Sequence, residues 1–542
     1  MEELVDTRWD VVLAGTGRAL SRSGKKVIHV DQNGYYGGED AALSLQDAEE
    51  WVKTVNSASY RSTFGHAEIF KREDDEEPLK AENPVSKLAF SRAYSLSLSP
   101  QLIYTRSALL PTLVTSKVHR QLEFLAVGDW WIYNFKDDQN KKVAEPGTND
   151  KGTLKKIPGT REDVFTDETL DRRSKQTLMR FLRLAGDAEA QSEALLEWGD
   201  KSFEDLLNSQ YNMPLSLRSA LHALTLSPHT PEQTTTSYAL PRIYRHLASN
   251  GVFGPGFGSV IPKWGGMAEV AQIGCRAGAV GGGIYVLGRG VQRIKSSNKV
   301  NSTEGEEDGD HEKTLLVQLE DEEIRTTWVA GCASDLPPLE LSLETPNEAV
   351  TSWRVSILSS PLSMLFPSTV EGAPPPAATV IVFPTGTVKD DSLPAGTQMP
   401  PVYFQIHSSD TGECPEGQCI IYSSISLPAS PGYSVLTSAM DHFLESLALD
   451  SEEFKPQILW SLGYSRKAYP SAPPPLSTSI SNSTSPDDSG LIVLPHSSPL
   501  DIAWDDSILE AVRQAWVKIT GLEEGFMTFE ERAGEGDEED ED

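Results

Sequence analysis

The segment from Trp9 to Asp40, WDVVLAGTGRALSRSGKKVIHVDQNGYYGGED, constrains the fold more than any other part of the chain. Val11-Val12-Leu13-Ala14 is a short apolar run entering Gly15-Thr16-Gly17, and Lys26-Val27-Ile28-His29-Val30 is a second run that ends at Asp31. Strand, glycine turn, helix, strand and acid in that order are the parts of a dinucleotide-binding βαβ unit. The unit is degenerate. A working fingerprint places a third glycine where Leu20 stands and an acid about 20 residues past the turn, yet Asp31 lies only 16 beyond Gly15. The crossover is also short. Strands of about five residues span roughly 17 Å, so the returning helix needs about 11 residues at roughly 1.5 Å each. Only seven, residues 18–24, separate Gly17 from Lys25. The first helix is therefore expected to be truncated, either a stub or the remnant of a lost segment. Ser23-Gly24-Lys25-Lys26 is not a phosphate loop, because six residues rather than four separate its glycines and no Ser or Thr follows Lys25.

At 542 residues the chain can hold two or three domains, each with its own core. A formal charge of −32 disfavours sequence-independent nucleic-acid binding. Much of the acid sits in Glu73 to Glu77, Glu304 to Asp310 and Asp537 to Asp542, which read as solvated loops and a tail. No run approaches the ~18 apolar residues of a membrane span, and the first ten residues lack a signal-peptide pattern, so a cytoplasmic location is expected. Four cysteines suit a reducing compartment. Cys414 and Cys419 have no histidine pair nearby, so no zinc site is expected.

The chain divides into a discontinuous α/β part, residues 1–157 with 251–542, and an inserted all-helical part, residues 158–250. Leu178, Met179, Phe181 and Leu182 form a broad apolar stripe there, and 203–207 and 215–226 add further helical runs. Flexible insertions are expected at about 71–83, 137–155, 299–313 and 470–489, with an acidic tail over 522–542. Residues 42–57 read as helix, Trp130 to Tyr133 as strand, and Ile284 to Leu287, Thr314 to Leu319 and Thr327 to Ala330 as further strands. Near the end, Ser507 with Glu510 makes a capping-box pattern before Ile508, Val512, Trp516 and Ile519, and Gly521 closes that helix.

Met267 to Ala279 reads MAEVAQIGCRAGA, so Glu269, Gln272 and Arg276 fall at i, i+3 and i+7 along one helical face. On spacing alone this is a solvated polar strip. Taken with Gly15-Thr16-Gly17, Ser21 to Val27 and Tyr35-Tyr36-Gly37-Gly38-Glu39, however, it resembles the Rab GDP-dissociation-inhibitor and Rab escort protein superfamily. Glu269, Gln272, Arg276, Gly282, Gly283 and Tyr285 match that family's second conserved region. Ala268 and Ala271 depart from it where the family has glycine and often proline.

The resemblance implies a flavoprotein-like fold used without a flavin or other cofactor, and without catalysis. It assigns Tyr36, Glu269, Gln272 and Arg276 to a platform that holds the switch regions of a GDP-loaded Rab GTPase. Gly15, Gly17 and Asp31 are then a degenerate cofactor loop. Length and insertions resemble the escort branch, fungal in type, more than the compact inhibitors. An escort would present Rab tails to the α/β heterodimer of Rab geranylgeranyl transferase, shelter the geranylgeranyl lipid, and touch membranes transiently on delivery. Leu178, Phe181 and Leu182 are candidates for the lipid groove. An inhibitor that recycles prenylated Rabs is the alternative. A flavin-dependent oxidoreductase of this fold is remoter, because the third glycine, the full first helix and the spaced acid are missing.

Overall fold

Every position from Val11 to Ala14 is apolar because both faces of this strand are covered. The structure, a computed structural model, describes residues 4, 6–15, 23–57, 63–71, 87–134, 152–158, 164, 170–297, 314–320, 322–337, 350–368, 372, 374–388, 398–447, 456–467, 490–495 and 501–528. Among them the strand Arg8–Ala14 lies inside a sheet ordered Ile284–Leu287, Val27–Asp31, Arg8–Ala14, Glu322–Cys332, Thr314–Leu319, Val291–Ser297. The first four run parallel, Leu491–Leu494 joins Glu322–Cys332 in parallel, and the last two turn back antiparallel. Successive side chains point to opposite faces. Val12 and Ala14 enter a core with Ile28, Val30 and Val329, while Val11 and Leu13 pack with Val27 beneath Trp516 and Ile519 of the helix Asp506–Thr520.

The second sheet is ordered Phe64–Lys71, Ile458–Lys467, Val350–Leu358, Cys419–Ile425, Val402–Ser408, Ala378–Phe383, Phe124–Asn134, Ser259–Pro262, Ile103–Tyr104. One face carries the helix Ala429–Leu447 through Val435, Leu436 and Phe443 against Ile381, Phe404 and Ile421. The other receives Trp51 of the helix Leu45–Val55 at one end. At the other end lie five helices, Arg172–Ala185, Ala188–Trp198, Phe203–Ser209, Leu215–Leu224 and Thr236–Ser249. These helices share one core with Val127, Trp130, Val380 and Tyr403 of the sheet. Asp171, Asp187, Ser202 and Thr235 each accept a backbone N–H at the start of a helix in this block.

Several expectations need correction. Residues 42–57 are not one helix: Ala42–Leu43 pairs with Leu96–Ser97, and the helix starts only after Ser44, where Ser44 and Asp47 cap each other reciprocally. The expected loop 137–155 ends early, since Thr153–Lys156 adds to Phe124–Asn134. The last helix is capped by Asp505, which accepts from Ser507 N–H at 3.0 Å, while Glu510 pairs with Arg513 instead of completing a box. The tail does not begin at 522, because Phe526 packs against Trp516 with ring centroids 5.8 Å apart. The short first helix, with Gly17 and Leu20, lies in residues 16–22, outside the described residues, as do 72–86, 298–313 and 468–489.

Candidate functional site

The polar strip and the Tyr36 loop come together at one edge of the parallel sheet. The helix Met267–Val280 buries Met267, Ala268, Val270, Ala271 and Ile273, which turns Gln272 and Arg276 outward and leaves Glu269 half-buried. Burial raises the Glu269 carboxyl above its ordinary range, opposed by the positive charge of Arg276. The entry is tight. Trp264, Gly265 and Gly266 all have positive φ, at 72°, 122° and 65°, and a Cβ on Gly265 would lie 2.7 Å from Ser95 Oγ and 2.8 Å from the Ala42 Cβ. Only glycine takes that backbone and that space together.

Tyr36 reaches the helix from the end of the strand Val27–Asp31. Asn33 N–H donates to Asp31 Oδ1 at 2.8 Å, and Gly288 and Arg289 N–H donate to the carbonyls of Asn33 and Asp31, tying this loop to the strand Ile284–Leu287. Tyr285 stands opposite His29 in that pairing and meets the Tyr36 ring edge-on at 6.1 Å. Desolvation, then the Cys275 thiol to which the Tyr36 hydroxyl is hydrogen-bonded, raises the Tyr36 phenol above its usual range. Tyr36 thus meets the helix at Cys275, next to Arg276 in sequence, with Tyr285 against its ring; Gln272 and Arg276 are exposed and Glu269 is half-buried on the same helix. Sequence spacing missed Cys275, which sits one position off the polar strip.

The described residues around Gly15 are held by contacts within the protein. Gly15 has φ 75°, and a Cβ there would collide with the carboxylate of Asp335, so the turn requires glycine here; Gly17, where the backbone of such a unit approaches a pyrophosphate, lies outside the described residues. Asp31 is buried and turned to its own loop, its carboxylate accepting from the Asn33 backbone and side-chain N–H groups. Burial pushes its carboxyl up to about 6, which suits a group with no cationic partner to hold it ionised.

A cavity of about 450 Å³ opens within the helical block, lined by Ile157, Val164, Leu178, Leu182, Leu217, Leu221, Leu224 and Leu247. That is within the size range of small-ligand sites. Of the three candidate groove residues, Leu178 and Leu182 line it. Phe181 does not: about 100° around the helix from Leu182, it is fully buried and packs on Phe203 and Tyr211 at 6.0 and 5.5 Å.

Comparison with known proteins identifies the family and the fold. The sequence profile of a family described as GDP dissociation inhibitor matches residues 5–317, more than half of the chain. The chain belongs to the GDP dissociation inhibitor family. Among curated members, it is 28% identical over 77% of its length to the Rab proteins geranylgeranyltransferase component A of Saccharomyces cerevisiae, and 27% identical over 82% to that of Candida albicans. These matches span 61% and 63% of the two relatives, so the chain covers about three fifths of their length. A solved Rab GDI from Plasmodium falciparum shares the fold at a TM-score of 0.59 and 17% identity, covering 96% of this chain and 99% of that one. An oxidoreductase from Methanosarcina mazei also shares it, at 0.53 and 12% identity over 94% and 99%. The flavoprotein-like α/β fold that the family resemblance implies is therefore present. Among the described residues no helix is long and apolar enough to cross a membrane, and no group of three or more metal-binding side chains occurs.

Proposed function

We propose that this chain is a Rab escort protein, a non-catalytic accessory component of Rab geranylgeranyltransferase. It binds GDP-loaded Rab GTPases, presents their C-terminal tails to the transferase α/β heterodimer, and chaperones the prenylated product to membranes. The observation that carries the reading is the joint exposure of Tyr36, Gln272 and Arg276 around a rigid, glycine-gated helix. Arg276 offers a planar fork for carboxylates and backbone carbonyls, Gln272 both donates and accepts, and Tyr36 supplies a rigid amphipathic ring. A surface of this kind discriminates between nucleotide states because the GTP form holds its switch segments differently. In this reading the cavity at Leu178 and Leu182 shelters the geranylgeranyl group, burial of which is favourable by about 0.8 kcal/mol per methylene.

A second reading, an inhibitor that recycles prenylated Rabs, is favoured by the family description itself and uses the same platform. Flavin-dependent oxidation is disfavoured by Leu20 at the third-glycine position, the short crossover and the close spacing of Asp31. Titration of the chain with GDP- and GTP-loaded Rab tests the platform. The GDP form should bind more tightly, and Arg276→Ala should cost about 2 kcal/mol or more if Arg276 is a hot spot. Equal affinity for both forms, or an unaffected variant, would count against it.

A further inference from the structure

Tyr36 is followed by Gly37 and Gly38, both in the left-handed region at φ 99° and 53°. Two such glycines give the backbone wide freedom, so an anchor on their far side acts with the contacts to Cys275 and Tyr285 in setting where the tyrosine points. The short turn Gly38–Asp40 follows, with Asp40 N–H donating to the Gly37 carbonyl at 2.9 Å, and then Ala41, whose carbonyl accepts from Leu98 N–H at 2.9 Å. Within this turn Glu39 reaches across the molecule to Arg466, 427 positions later in sequence, at 3.1 Å from Oε2 to Nη2.

Arg466 is unusual for a cation, being 1% exposed in the strand Ile458–Lys467. Its other partners are Ser99 Oγ at 3.1 Å and the face of Phe64 at 5.2 Å, both neutral. A buried guanidinium is held at large desolvation cost unless a carboxylate compensates it, and removing that carboxylate leaves the charge stranded. The strand lies outside the segment matched by the family profile, so nothing in the family description assigns it a part in the platform.

We propose that the Glu39–Arg466 ion pair is a positioning lock, by which the large sheet fixes the glycine hinge and so holds Tyr36 in register with the helix Met267–Val280. The inference rests on the platform reading above. It predicts that partner binding depends on a residue that never touches the partner, and that this dependence passes through Tyr36 alone.

The test uses the full chain with Glu39→Gln, which keeps shape and lies on the more exposed side of the pair, and Arg466→Lys as a second variant. Hydrogen exchange of amides 33–41 should quicken about tenfold or more in Glu39→Gln while helix 267–280 stays within about twofold of the parent. Affinity for GDP-loaded Rab should fall about tenfold, and a Tyr36→Ala background should abolish that further effect. Unchanged exchange over 33–41 would overturn the lock, as would an affinity loss of the same size without Tyr36. Should the unmodified chain bind no Rab, the platform reading fails while the exchange measurement still decides the lock. If Arg466→Lys does not fold, Glu39→Gln gives both readouts unaided.

Discussion

The placement of Phe181 and Leu182 on neighbouring faces of one helix allows stability and lipid affinity to be separated. Leu182→Ala removes three carbons from the cavity wall. At about 0.8 kcal/mol per methylene, with roughly half of that surface facing a bound isoprenoid, the affinity loss is about 1 kcal/mol, or fivefold. The stability loss should be small, because the deleted atoms already border a void. Phe181→Ala removes a fully buried ring from between Phe203 and Tyr211, costing about 3–5 kcal/mol of stability with almost no effect on affinity per folded molecule. The assay is titration with a fluorescent geranylgeranyl-cysteine beside urea unfolding of the same samples. If Phe181→Ala weakens the isoprenoid as much as Leu182→Ala does, or if the two destabilise alike, the assignment of faces is wrong.

Two further predictions concern the platform and its support. Asp31 stays protonated in the native chain up to about 6 and ionises near 3.8 when unfolded, so its burial penalty grows between those values and is complete above them. At 1.36 kcal/mol per pH unit the ceiling is about 3 kcal/mol. Asp31→Asn, which keeps an acceptor for Asn33 N–H, should therefore raise the unfolding midpoint at pH 7.5 and progressively less from pH 6 to pH 4, measured by denaturant titration. Gly412→Ala forces a Cβ into the Trp264 indole at φ 74°; it should cost on the order of 1–3 kcal/mol of stability, shift tryptophan emission and weaken GDP-Rab binding through the displaced helix entry, whereas unchanged emission and affinity would show that the entry does not depend on this contact.

Local periodicity made part of this architecture legible. The Val11 to Ala14 run, the second run ending at Asp31 and the i, i+3, i+7 spacing of Glu269, Gln272 and Arg276 each follow from a single element's geometry, and each element is found where its pattern places it. Contacts between elements were not legible. Arg466 carries no signal in the sequence until the sheet brings it to Glu39, and Cys275 gains a partner only where the chain brings the Tyr36 hydroxyl to it. Phe181 and Leu182 look equivalent on an apolar stripe, and what distinguishes them is Phe203 and Tyr211 on one side and a void on the other. At the last helix Ser507 was the expected cap, and Asp505 takes the role because its carboxylate reaches both Ser507 N–H and Ser507 Oγ, at 3.0 and 2.8 Å.

As a proposed escort, this chain enables prenylation rather than only extracting Rabs already prenylated. A reaction containing purified transferase α/β heterodimer, geranylgeranyl diphosphate and GDP-loaded Rab, followed by intact-mass spectrometry of the Rab, tests it directly. The escort reading predicts little modified Rab without the chain, modified Rab with it, and a marked loss with Arg276→Ala. Rab that stays unmodified while the chain binds its GDP form would contradict the escort reading and leave the inhibitor.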